Sequence, residues 1–93
     1  MALRFSWDPV KAVTNLRKHR VSFPEAATAF GDLLSITVPD PDHSSGEERF
    51  LLIGLTKRGR LVVVAHREHG DEIRLINARR ATRGERKTYE EDQ

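Results

Sequence analysis

Apolar positions along the chain come in short blocks whose spacing changes from one segment to the next. Leu3 to Trp7 alternates loosely, as a short strand does. Asp8-Pro9 then opens a helix, because Asp can cap free amides and Pro at the first helical position gives up no needed hydrogen bond. Val10, Val13 and Leu16 form an apolar stripe on that helix, with Lys11, Arg17 and Lys18 off it. Ser22 followed by Glu25 is a capping box for a second helix, and Phe23, Ala26, Ala27 and Phe30 recur at i, i+3, i+4 and i+7. Gly31-Asp32 ends it.

From there the period changes to two. Leu34 to Val38 reads as a strand, followed by one long loop from Pro39 to Gly46. Arg49 to Thr56 and Arg60 to Arg67 are strands joined at Lys57-Arg58-Gly59, and His69-Gly70-Asp71 turns the chain into Glu72 to Ala78. Strict alternation puts Val62, Val64, His66 and Glu68 on one face of their strand and Leu61, Val63, Ala65 and Arg67 on the other. In the next strand it sets Arg74, Ile76 and Ala78 against Ile73, Leu75 and Asn77. Thr82 and Glu85 make another capping box, opening a charged helix that runs to Asp92. That helix has a poor apolar face, and Gly84 costs it about 1 kcal/mol relative to Ala. It is expected to fray or to lean on a partner.

The order β-α-α-β-β-β-β-α indicates an α+β fold: an antiparallel meander packed on one face by two N-terminal helices, its other face partly free. Ninety-three residues make a single domain, 1–93. The absence of cysteine excludes a disulfide scaffold and a thiol nucleophile. The longest apolar block, Leu61 to Ala65, is too short for a signal peptide or a membrane span, so a soluble cytoplasmic protein with no membrane contact is expected.

A net charge of +2 argues against a uniformly basic nucleic-acid coat. The charge is unevenly spread. Residues 4–20 carry +4, residues 21–48 carry −6 without a single Lys or Arg, and the two remaining stretches, 49–73 and 74–93, carry +2 each. Two basic regions thus bracket an acidic middle, and different faces are suited to different partners.

The densest set of chemically useful groups is His66, Arg67, Glu68 and Arg74, followed by Arg79, Arg80, Glu85, Arg86 and Tyr89. Such a set suits a phosphodiester. A metal-free ribonuclease uses the RNA's own 2′-hydroxyl as nucleophile, and the protein takes that proton, neutralises the phosphate and protonates the leaving 5′-oxygen. Arg74, Arg79 and Arg86 suit the phosphate, Glu68 or His66 the base, and Tyr89 or His66 the acid. His66 equally suits a packed strand histidine, and Glu68 with Arg74 a cross-strand ion pair. Lys11, Arg17, Lys18 and His19 form a second basic surface, suited to RNA or to solvent. His66 and His69 lack the further ligands that zinc requires, and no nucleophile elbow, phosphate loop or dinucleotide fingerprint is present. No metal or cofactor is expected.

The chain resembles the BrnT toxins of type II toxin–antitoxin systems. The resemblance runs through Phe5 to Pro9, Lys11, Asn15 to His19, Val21-Ser22-Phe23, Glu25-Ala26, Phe30, Asp40, His43, Gly46 to Arg49, Ile53-Gly54, Arg74-Leu75-Ile76, Ala78-Arg79 and Glu85 to Lys87 through Tyr89. It covers nearly the whole chain in one unbroken order. It implies a RelE-like ribonuclease fold, RNA cleavage that halts translation, and a BrnA-like ribbon-helix-helix antitoxin. It further implies a homodimer within the complex, which meets operator DNA only through the antitoxin. The chain departs from the family in having Asn77 where Ser is usual and His69 where Arg is frequent. From these residues the catalytic set is His66, Glu68, Arg74, Arg79 and Tyr89, and the RNA-binding set is Lys11, Lys18, His19, Arg67, Arg80 and Arg86. The alternative is a catalytically inactive co-repressor subunit, and a third reading is an interaction protein whose acidic middle docks a basic partner.

Overall fold

The first helix begins where Asp8 accepts the amides of Val10 (2.8 Å) and Lys11 (3.4 Å), and it ends where Arg20 adopts a left-handed conformation (φ 61°). In the computed structural model, which describes residues 3–41 and 48–93, the elements are β1 (Arg4–Ser6), α1 (Pro9–His19), α2 (Phe23–Thr28) with a 3₁₀ turn at Ala29–Gly31, β2 (Ile36–Pro39), β3 (Phe50–Leu55), β4 (Leu61–His69), β5 (Glu72–Arg80) and α3 (Arg83–Glu91). The expected α+β order holds. His43, Gly46 and Glu47 of the resemblance, and most of the expected loop, lie outside the described residues.

The five strands form one sheet in the order β1-β5-β4-β3-β2. Strands β2 to β5 are the antiparallel meander, and β1 adds to it parallel to β5, with Phe5 opposite Ile73. Gly59 (φ 81°) and Gly70 (φ 63°) take up the left-handed backbone at the two hairpin turns. No helix among the described residues is long and apolar enough to cross a membrane.

One sheet face packs against the N-terminal helices. Val21, Phe23, Ala26 and Ala29 bury themselves against Leu52, Val62, Val64, Ile73, Leu75 and Ala78. The opposite face carries a smaller cluster, Ile53, Leu61 and Val63, on which Tyr89 of α3 rests. Three details depart from the sequence reading. First, the β4–β5 register passes from Ala65↔Asn77 to His66↔Leu75, leaving Ile76 as a bulge. Ile73 and Leu75 therefore share the helix-covered face with Ala78, while Arg74, Asn77 and Arg79 turn to the other; strict alternation had divided them otherwise. Second, α1 docks through Ala12, Asn15 and His19, and its apolar stripe Val10, Val13 and Leu16 faces outward. Third, Ser22 caps α2 by accepting the Glu25 amide (3.1 Å), but the Glu25 side chain does not complete the box. Its carboxylate turns to Arg60 and to the Thr56 hydroxyl instead.

Candidate nucleic-acid site

The start of β3, the end of β4 and the start of β5 frame a cleft of about 860 Å³. Phe50, Arg67, Glu68, His69 and Arg74 line it, with Glu48 and Glu72 at its walls. A second, smaller cleft of about 100 Å³ runs over the edge of β5 at the bulge, where Arg49, Arg67 and Arg74 meet Lys11 and Asp8 at the start of α1. Arg67 and Arg74 belong to both. The bulge is what makes this possible: it turns Arg74 to the open face directly opposite Arg67.

His66 stands behind the first cleft with 0% of its surface exposed. Its ring sits edge-on to Phe30 (4.9 Å between centroids) and tilted against Phe50 (5.9 Å). Its Nδ1 lies 3.2 Å from the Val64 carbonyl, and its Nε2 lies 3.0 Å from Oε2 of Glu68. The Val64 carbonyl and the Glu68 carboxylate both accept, so which ring nitrogen donates depends on the tautomer. His66 and Glu68 form a hydrogen-bonded pair, of which only Glu68, with a side chain 45% exposed, reaches the cleft.

The predicted residues fall into three places. His66, Arg67, Glu68 and Arg74 come together at the cleft, and Lys11 joins them from α1. Arg79 does not: it lies five residues from Arg74 on β5, about 15 Å along the strand. Its guanidinium grips Glu85 of α3 with two parallel bonds of 2.8 Å. Tyr89 is also apart, its hydroxyl donating to Asp32 at 2.6 Å. That bond, and burial after it, push the phenol up to about 12. The expected co-location of Arg79 and Tyr89 with His66, Glu68 and Arg74 is therefore not met, because α3 anchors at the opposite end of the open face. Arg80 and Arg86 are exposed at that end too. Lys18 and His19 sit at the C-terminal end of α1, seven and eight residues beyond Lys11. Glu48, Arg49, Phe50 and Glu72 were missed by sequence reasoning. The sequence signals for them were proximity to strand ends and, for Glu48 and Arg49, their place in the family resemblance.

A family model described as the ribonuclease toxin BrnT of type II toxin–antitoxin systems matches residues 7–85. The chain belongs to the BrnT family. None of the curated proteins matches it. As a BrnT toxin it is a member of a ribonuclease family that works against RNA and pairs with an antitoxin. The match spans α1, the whole meander and the first residues of α3, and so takes in both clefts and the His66–Glu68 pair.

Proposed function

We propose that this BrnT chain is a metal-independent endoribonuclease that inhibits translation in the cytoplasm and is neutralised by a BrnA-like ribbon-helix-helix antitoxin. The reading extends to a homodimer within the toxin–antitoxin complex, with operator DNA reached only through the antitoxin. The observation that carries the enzymatic reading is that Arg67 and Arg74 line the same cleft as Glu68, the hydrogen-bond partner of the buried His66.

Arg67 and Arg74 neutralise the scissile phosphate, and Arg49 and Lys11 extend that cationic track for the neighbouring phosphate. Glu68 is the group that exchanges a proton with RNA. In this reading a proton carried by Glu68 passes to the 5′-oxygen as the P–O5′ bond breaks and the 2′-oxygen bonds to phosphorus. His66 does not touch RNA; it orients the Glu68 carboxylate and supplies the proton from behind. Removal of the 2′-hydroxyl proton falls to Glu48, His69 or Glu72, which border the same cleft. Arg79 and Tyr89 serve this reading by holding α3 on the sheet rather than by contacting the phosphate. Asn77 lies on the same face as Arg74, and His69 lines the cleft, so both departures from the family fall beside the proposed site.

The test is cleavage of purified RNA by antitoxin-free protein in EDTA. Cleavage leaving a 2′,3′-cyclic phosphate is expected, and intact RNA with well-folded protein overturns the reading. Glu68→Gln keeps a hydrogen-bonding partner for His66 but holds no transferable proton. It is expected to lower kcat by about 100-fold or more and to remove one limb of the pH–rate profile. A wild-type pH–rate profile for Glu68→Gln would remove Glu68 from the mechanism.

A further inference from the structure

Helix α1 is turned inside out. The residue it buries is Asn15, a polar amide, with Ala12 and His19 half-buried beside it, while Val10 (73% exposed), Val13 (58%) and Leu16 (46%) face solvent. Single exposed apolar residues are commonplace. Three at i, i+3 and i+6, opposite the docked face of one helix, make a continuous stripe that belongs to neither core cluster of the described residues. The charge around the stripe is one-sided: from Pro9 to Arg20 the chain carries Lys11, Arg17, Lys18 and Arg20 and no carboxylate. Arg17 lies along the stripe, and Lys11 and Lys18 lie on one flank of it.

We infer that the outward face of α1 is a docking surface for an acidic amphipathic helix of the antitoxin. An apolar stripe flanked by cations is matched by a helix with Leu- or Ile-type residues on one face and Asp or Glu beside them. A second copy of this chain fits badly, since two α1 helices face to face set cation against cation. RNA fits badly too, since Val and Leu offer bases neither a stacking ring nor a hydrogen bond. The consequence for regulation rests on the ribonuclease reading. Lys11 belongs at once to the flank of the stripe and to the small cleft with Arg49, Arg67 and Arg74. A carboxylate drawn to Lys11 stands where an RNA phosphate would, so docking on α1 and RNA binding exclude one another.

The experiment measures binding of the full chain to the antitoxin encoded beside it, in the absence of RNA, so that its outcome is independent of nuclease activity. Val13→Asp, and Val10→Asp with Val13→Asp, are expected to weaken binding at least tenfold. RNA cleavage and the melting temperature should stay unchanged, because these side chains touch neither the core nor the cleft. Val13→Ser serves the same purpose should the charged variants fold poorly. Arg17→Glu with Lys18→Glu is expected to weaken binding comparably. Antitoxin affinity unchanged in all these variants overturns the proposal, as does loss on charge reversal alone with none on Val13 substitution. Val13→Asp weakening RNA binding instead, or abolishing self-association of the chain alone, would assign the face to RNA or to a second copy.

Discussion

Asn15 stands in for a strand. Its side-chain amide donates to the Ala78 carbonyl (2.9 Å) and to the Val21 carbonyl (3.0 Å), and its oxygen accepts the Ala78 amide (3.0 Å). Strand β1 covers the edge of β5 only from Glu72 to Arg74, so Ala78 would otherwise present a buried, unbonded amide and carbonyl. Asn15→Leu removes all three bonds at nearly constant volume. It is expected to cost about 3 kcal/mol in urea denaturation. Glu25 is a comparable case. It reads as the second half of a capping box, but Arg60 and Thr56 outbid the Ser22 amide for its carboxylate, and Arg60 holds that carboxyl below its ordinary range. Neither role was legible in the sequence, because the partners of Asn15 and Glu25 lie 63 and 35 residues away. His66 was legible both as a candidate and as a packed strand histidine, but the groups that enclose it were not. Its enclosure depends on Phe30 and Phe50, which come from different elements.

At the scale of elements, α3 was the best described in advance. Its capping box forms in full, with Thr82 and Glu85 exchanging bonds of 2.8 and 3.2 Å, and it buries no residue completely. What holds it down is Tyr89 on Ile53, Leu61 and Val63, and the paired bonds between Arg79 and Glu85. The Arg79 guanidinium, helped by the Thr82 amide and opposed by partial burial, brings the Glu85 carboxyl down to about 2. A carboxyl lowered in the folded state stabilises above its unfolded value near 4.5, and that contribution fades as pH falls toward about 2. Glu85→Gln is therefore expected to cost about 1 kcal/mol at pH 7, a modest figure because Arg79 is partly solvated. It should also flatten the acid limb of stability between pH 4.5 and 2; an unaltered limb would show that the pair contributes nothing. Hydrogen exchange in residues 83–91 should rise in the same variant. The face assignment in β5 was not legible. Arg74-Leu75-Ile76-Asn77-Ala78 contains no Gly or Pro to mark a bulge, and only pairing with β4 reveals the extra residue. The inversion of α1 was hidden for a related reason: periodicity finds a stripe but cannot say which side of the helix meets the sheet.

For the whole molecule, the small net charge conceals a separation in space. Arg49, Arg67, Arg74 and Lys11 come from four segments and converge, whereas among the described residues the acidic 21–48 stretch contributes Glu48 to the large cleft. Counting by segment showed two basic regions, but their convergence needed the sheet. RNA binding should consequently fall steeply with salt. With Glu68→Gln as the background to prevent cleavage, Arg74→Ala is expected to reduce the slope of log affinity against log salt by about 0.7, the value for one single-strand phosphate contact. An unchanged slope would remove Arg74 from the phosphate track. The α+β class and the meander were legible because each local pattern agreed with the global fold. The parallel pairing of β1 was not, since three residues carry too little pattern to choose a neighbour.

That pairing also dictates an order of assembly. The first strand can be completed only against Glu72 to Arg74, and α1 is latched only when Asn15 finds Ala78. Both contacts close loops of more than sixty residues, the slowest kind for a small chain to form. During synthesis on a ribosome, the N-terminal fifth of the molecule has nothing to dock on until nearly the whole chain has been made. Lys11 reaches its cleft by the same closure that brings in Arg74. The site is therefore among the last things this protein acquires.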